Sequence, residues 1–272
     1  MSQVPILEQL PNEVFRDYDI RGLAYTQITA EFAARLGSAL AIMFKRKNHN
    51  AVYVGRDCRL NSEDLSIALH QGLLNQGMDV IDLGAVSTPV VNYSIHCGDK
   101  ADLGIMITAS HNPKQYNGFK IIVRDEVIDG EILQQLKQLM HLASPKLPQM
   151  GELIAEDMST IYLEAITQSC RPKKNFKLVV DAGNAVAGPL AVKLFSQLGY
   201  DFTPVFCDPD GEFPNHDPNP SDEKNLLPLK ETVAANNADL GFALDGDGDR
   251  LVVITGNGAI VWPDQLMMIF AE

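Results

Sequence analysis

KLVVDAGNAVAGPLAVKLFSQLGYDFTPVF, residues 177–206, reads as a strand, a helix and a second strand in succession. Strands joined by a helical crossover belong to α/β layers with largely parallel pairing. The joint itself, VVDAGNAVAG at 179–188, runs from strand to Gly-rich turn to helix and so invites a nucleotide-binding reading. It contains neither G-x-G-x-x-G nor GKS/T, and is read as a tight strand–helix joint.

The same alternation fills the rest of the chain. Residues 29–46 read as a helix with Thr29 as N-cap, 51–55 as a strand, 61–77 as a helix closing at Gly77, and MDVIDLG as a strand. TPVVNYSIHC at 88–97 is a helix with Pro89 in its first turn. LGIMIT and FKIIV are two strands, and 131–142 is a helix. A Pro/Gly/polar stretch at 143–153 reads as a linker. Beyond it come a helix at 157–170, the 177–206 unit, a Pro/Asp/Asn-rich loop at 207–221, a helix at 222–237, and the strands DLGFALD and LVVIT. LLNQGMDVIDLG and FSQLGYDFTPV echo each other faintly, as two duplicated α/β units would. The expected fold is therefore α/β: two tandem α/β/α layered domains with mixed, largely parallel sheets. The first covers 1–150 and the second 151–258.

The chain has 272 residues, 46% hydrophobic, and a net charge of −13, so it can build two ordinary cores but would be repelled by a nucleic-acid backbone. Cys58, Cys97, Cys170 and Cys207 have no C-x-x-C spacing, which argues against a zinc knuckle or redox pair and for a reducing, cytoplasmic setting. The N-terminal stretch MSQVPILEQLPNEVF lacks the pattern of a signal peptide, and no apolar run is long enough for a membrane span.

Two short motifs carry chemistry. In DGDGDR, residues 245–250, three aspartates alternate with two glycines. On an extended or looped backbone such positions share a side, and the glycines let the chain curl. Converging hard oxygens suit a divalent cation, and without one they repel. A calcium EF-hand fails on spacing, because its sixth and twelfth positions would hold Arg250 and Gly256. In TASHNP, residues 108–113, Ser110 follows a strand that reads as buried. A hydroxyl is a weak nucleophile without a base or a prior modification. His111 is adjacent, but neighbours on an extended chain point apart. Read alone, Ser110 is first of all an ordinary turn serine. If it carries a phosphoryl group, that group needs a metal and cations, and Arg21, Lys120 and Arg250 are the candidates. GRDCR at 55–59 could also face a phosphate, or Arg56 and Asp57 could pair with each other or with neighbours.

Together with FRDYDIRG at 15–22 and YNGFK at 116–120, these motifs resemble the α-D-phosphohexomutase superfamily, in particular its bacterial phosphomannomutase/phosphoglucomutase branch. The resemblance runs in order from about residue 12 to the end. It implies that Ser110 is the phosphorylated residue, which donates and then recovers a phosphoryl group. It implies a Mg2+ held by Asp245, Asp247, Asp249 and an oxygen on Ser110. Lys120 would assist proton transfer or hold charge, Arg21 and Arg250 would stabilise the moving phosphoryl group, and His111 would be a supporting polar residue. The substrate would be a phosphorylated hexose, interconverted between 1- and 6-phosphate through a bisphosphate, with a glucose 1,6-bisphosphate-type activator.

The resemblance also implies a departure. Family members have four domains, whereas PDQLMMIFAE, in 259–272, reads as the start of a third. An apolar face there would be open to self-association. Without the sugar-gripping domains, turnover by this chain alone would be impaired. Two other readings stand beside the mutase. One is a non-catalytic magnesium- and phosphate-binding module. The other is a serine-dependent sugar phosphatase.

Overall fold

The structure is a computed structural model that describes residues 10–142, 146–170 and 174–271. The extreme N-terminus and residues 143–145 of the expected linker lie outside these. In chain order the elements are β1 (Ile20–Leu23), α1 (Ala30–Lys45), β2 (Ala51–Arg56), α2 (Ser62–Asn75), β3 (Asp79–Ala85), α3 (Thr88–Cys97), β4 (Leu103–Ile107), β5 (Tyr116–Val123), α4 (Gly130–Met140), β6 (Leu153–Ala155) and α5 (Met158–Ser169). These are followed by β7 (Lys177–Asp181), α6 (Gly188–Gln197), β8 (Asp201–Val205), α7 (Leu227–Asn236), β9 (Leu240–Leu244), β10 (Leu251–Thr255), β11 (Ile260–Val261) and α8 (Pro263–Phe270).

The chain divides into two compact units. One comprises the described residues up to Ala85 together with Val91–Ala109 and Gln115–Glu156. The other comprises Val86–Val90, Ser110–Lys114 and residues 157–271. Each has its own mixed sheet.

In the first unit the strand order is β1-β5-β4-β2-β3-β6. The pairs β4–β2, β2–β3 and β3–β6 are parallel; β1–β5 and β5–β4 are antiparallel. Alternation along the strands sorts the faces. Ile20, Val52, Val54, Ile105, Ile107 and Phe119 point into a core shared with α1, α2 and α4, where Phe32 stacks on Phe119. Gly104 lies under Ile95 and Val91, so α3 covers the opposite face. Thr29 caps α1 as its sequence suggests, its side chain accepting from Phe32 N at 3.1 Å.

In the second unit the order is β11-β10-β9-β7-β8, with β9–β7 and β7–β8 parallel and the other two pairs antiparallel. Val179, Ala243, Val252 and Ile254 pack against Leu229 and Val233 of α7 on one face. Phe195 of α6 meets Phe202 and Phe242 on the other. The loop at 207–221 is tied to the end of β7. Asn184 Nδ2 donates to Asp208 O at 2.9 Å, and His216 Nε2 lies 3.2 Å from Asp181 Oδ2.

Several expectations change. FRDYDIRG runs into β1, an edge strand that pairs Arg21 with Gly118. The helix expected at 222–237 is a 3-10 turn, Glu223–Leu226, followed by α7, because Pro228 sits at a helix start and cannot be in an interior. The last part of the expected linker enters β6, since Val80 N donates to Glu152 O at 2.8 Å and β6 then pairs with β3. α6 opens at Gly188, with Pro189 in its first turn. On α8, Met267, Met268, Ile269 and Phe270 are exposed.

The α1–α2 crossing depends on two glycines. A Cβ on Gly37 would fall 2.4 Å from Leu69 O, and one on Gly72 would fall 2.1 Å from Ala34 O. These are backbone atoms that cannot swing aside. Gly72→Ala gains up to about 1 kcal/mol of helix propensity but overpacks the crossing, which costs about 1–3 kcal/mol. We expect a net loss of stability, read as a lower urea midpoint.

His216 supplies a second test. Burial disfavours its charged form, but the hydrogen bond and charge of Asp181, with Asp217 behind them, raise its pKa above the usual 6.5 overall. A raised folded-state pKa means that the contribution is fully present below about pH 6.5 and is lost as pH rises through the folded value. His216→Gln should remove that part of the pH dependence of unfolding, leaving a flatter profile above pH 6.5.

Candidate functional site

The hairpin of β9 and β10 positions the acidic motif. Leu244 and Leu251 are paired, so residues 245–250 form the connection between two strands. Gly248 N donates to Asp245 O at 3.0 Å and Asp245 N donates to Arg250 O at 3.3 Å, which curls the loop on itself. Asp249 N and Arg250 N both donate to Asp245 Oδ1 at 3.1 Å. The result is convergence: one ligand oxygen from each of Asp245, Asp247 and Asp249 lies within 4.8 Å of the others. Asp245 and Asp247 are buried, whereas Asp249 is exposed.

Ser110 belongs to the same unit. Its side chain is fully buried and its Oγ donates to Asp245 Oδ2 at 2.8 Å. Arg250 Nη2 donates to Ser110 Oγ at 3.2 Å. Its Nε is 3.7 Å from Asp245 Oδ2 and 3.6 Å from Asp249 Oδ1. A side chain at Gly246 would strike Ser110 O at 2.2 Å, so glycine there lets the acidic loop close on the serine backbone.

The serine backbone is itself unusual, with φ +52°. That left-handed conformation costs a non-glycine residue on the order of 1 kcal/mol. It also alters the expected geometry of His111. The chain is not extended here, and His111 Nδ1 lies 3.4 Å from Ser110 Oγ instead of pointing away.

Electrostatics fit a cation. Burial pushes the Asp245 carboxyl up to about 7, aided by the charges of Asp247 and Asp249, while Ser110 and Arg250 pull it back. Clustered hard oxygens, two of them desolvated and all mutually repelling, could hold a divalent metal ion.

Arg21 and Lys120 belong to the first unit. Arg21 faces Gly118 across β1 and β5, and Lys120 is two residues further along β5, so both project from the sheet face opposite Phe119. Arg21 is buried and pairs with Asp19 at 2.5 Å.

Behind β5 is a buried polar cluster. Asp57 pairs with Arg59, not with Arg56, at 3.0 Å, both side chains being 1% exposed. Ser62 Oγ donates to Asp57 Oδ1, Arg59 Nη1 to Tyr116 O, and Asn117 Nδ2 to Asn61 Oδ1. Arg56 instead lies 3.7 Å from Glu63. GRDCR is thus largely absorbed by packing that fixes the start of β5.

The sequence reading missed Thr88. Its Oγ1 donates to Asp247 Oδ2 at 2.6 Å and its backbone N to Asp247 O at 2.9 Å. Nothing in its local sequence signals this.

Comparison with known proteins agrees with the geometry. Residues 12–143 match alpha/beta/alpha domain I of phosphoglucomutase/phosphomannomutase, and residues 160–258 match alpha/beta/alpha domain II. The chain is 42% identical over 266 residues to a phosphomannomutase/phosphoglucomutase of Pseudomonas aeruginosa, covering 97% of this chain and 56% of that protein. It is 38% identical over 272 residues to a phosphoglucomutase of Neisseria meningitidis serogroup B, covering 98% and 58%. A crystal structure of a phosphoglucomutase/phosphomannomutase family protein from Burkholderia thailandensis superposes with TM-score 0.92 at 39% identity, covering 97% of this chain and 59% of that one. The chain therefore spans little more than half the length of these relatives. Among the described residues no helix is long and apolar enough to cross a membrane. With both domain matches in order and the serine and aspartate loops in contact, the chain belongs to the phosphoglucomutase/phosphomannomutase family and contains its domains I and II.

Proposed function

We propose that this chain supplies the phosphoserine and metal loops of a cytoplasmic phosphohexomutase, which interconverts hexose 1-phosphate and 6-phosphate. The observation that carries the reading is the 2.8 Å hydrogen bond from Ser110 Oγ to Asp245, one of three convergent carboxylates. An ordinary turn serine has no reason to be buried against a metal-type donor set.

Asp245, Asp247 and Asp249 would hold Mg2+, with an oxygen of phosphorylated Ser110 as a further ligand. The ion would neutralise charge on the phosphoryl group. Arg250, already in contact with Ser110 Oγ, holds that group in register. As the serine Oγ–P bond breaks, a bond forms from a sugar hydroxyl oxygen to phosphorus, and the hydroxyl proton must leave. Lys120 is assigned to that proton or to the charge it leaves, and Arg21 to the phosphoryl oxygens. The sugar bisphosphate then returns its other phosphoryl group to Ser110. A glucose 1,6-bisphosphate-type molecule is the reagent that loads the serine. His111, 3.4 Å from Ser110 Oγ, orients the hydroxyl.

Incubation with glucose 1,6-bisphosphate and Mg2+, followed by intact-mass and peptide mapping, should add a single phosphoryl group on Ser110. Ser110→Ala should take up none. Phosphate elsewhere, or steady release of inorganic phosphate without a sugar acceptor, would replace this reading with the binding-module or phosphatase one. In a second measurement, Asp247→Asn should weaken Mg2+ binding in calorimetry by about 10-fold or more, since affinity follows the charge count of the ligands. Unchanged affinity would remove the metal from the acidic loop.

A further inference from the structure

Asp247 is buried, and the contacts that orient a buried metal ligand matter as much as the ligand itself. Asp245 is oriented by Ser110 and by two backbone N–H groups of its own loop. Asp247 is clamped from a distant part of the chain. Thr88 makes two hydrogen bonds to it, one from the side-chain hydroxyl to the carboxylate at 2.6 Å and one from the backbone N–H to the main-chain carbonyl at 2.9 Å. The first fixes the rotamer and the second fixes the peptide. Thr88 is 7% exposed and Asp247 is 0% exposed, so water does not compete for either bond.

The neighbouring contacts reinforce the clamp. Gly248 has φ +72°, and a Cβ there would fall 2.7 Å from Ala187 Cβ and 3.3 Å from Ser87 Cβ. Ser87 and Thr88 thus form one wall of the acidic loop. The segment Val86–Val90 groups with the second unit although it leads from β3 into α3.

We infer that Thr88 is a positioning residue for the metal site: its hydroxyl holds the Asp247 carboxylate in the ligand-ready orientation. This rests on the metal-loop reading above. The alternative is that Thr88 merely opens α3, its bond to Asp247 serving stability alone.

Titrating Mn2+ into the 272-residue chain, with free Mn2+ counted by EPR, separates the two. Thr88→Val keeps the shape and removes the donor, and Thr88→Ala removes it with less steric demand should the valine variant fail to fold. Either should bind Mn2+ about 10–100-fold more weakly, while Thr88→Ser should stay within about threefold of wild type. Val233→Ala, in the α7 core, should lower the melting temperature and leave Mn2+ affinity unchanged. The inference is overturned if the hydroxyl-free variants bind like wild type, if Thr88→Ser loses as much as they do, or if Val233→Ala loses as much. If wild type binds no Mn2+, the metal reading fails first and the role of Thr88 goes with it.

Discussion

Mutual repulsion among Asp245, Asp247 and Asp249 is the constraint around which the second unit is arranged. Three carboxylates within 4.8 Å, two of them out of water, are unfavourable unless donors or a cation face them. The fold supplies donors from four places: the loop's own backbone, the Ser110 hydroxyl, the Arg250 guanidinium and the Thr88 hydroxyl. Ser110 and Thr88 come from segments that precede the linker in sequence yet group with the second unit. The acidic loop therefore gathers structure as well as charge.

The first unit shows a different solution to buried charge. Asp57 and Arg59 are both almost inaccessible, and such a pair offsets its desolvation only if its remaining polar atoms are satisfied. Ser62 and the Tyr116 carbonyl supply those partners, and Asn61 and Asn117 continue the network to Gly118 N. This stitches the loop after β2 to the first residues of β5, the strand that carries Lys120. Precision in the lysine's position comes from polar bonds behind it, while Phe119 anchors the same strand in the apolar core.

What could be read from the chain and what could not divide along physical lines. Local signals survived folding. Thr29 caps its helix, and the alternation of strands and helices produced two layered sheets. The spacing of DGDGDR foretold a convergent carboxylate cluster. Signals that depend on partners far away did not show. β1 is four residues long with a charged arginine in its middle, so its strand character comes from pairing with β5. Thr88 and Asp247 are 159 residues apart, beyond any local pattern. The expectation that His111 points away from Ser110 fails because one left-handed residue before it turns the backbone. The helix at 222–237 was read through Pro228, which in fact restarts it.

The left-handed backbone at Ser110 narrows the choice of hydroxyl. Threonine offers the same alcohol chemistry, but a β-branched side chain is a genuine outlier at positive φ. Its extra methyl would also need room where Ser110 has no exposed surface. Cysteine fits the backbone no worse than serine, but replaces a hard oxygen beside the carboxylates with a soft sulfur. Position 110 is thus selected twice, by torsion and by hardness, and of serine, threonine and cysteine only serine satisfies both.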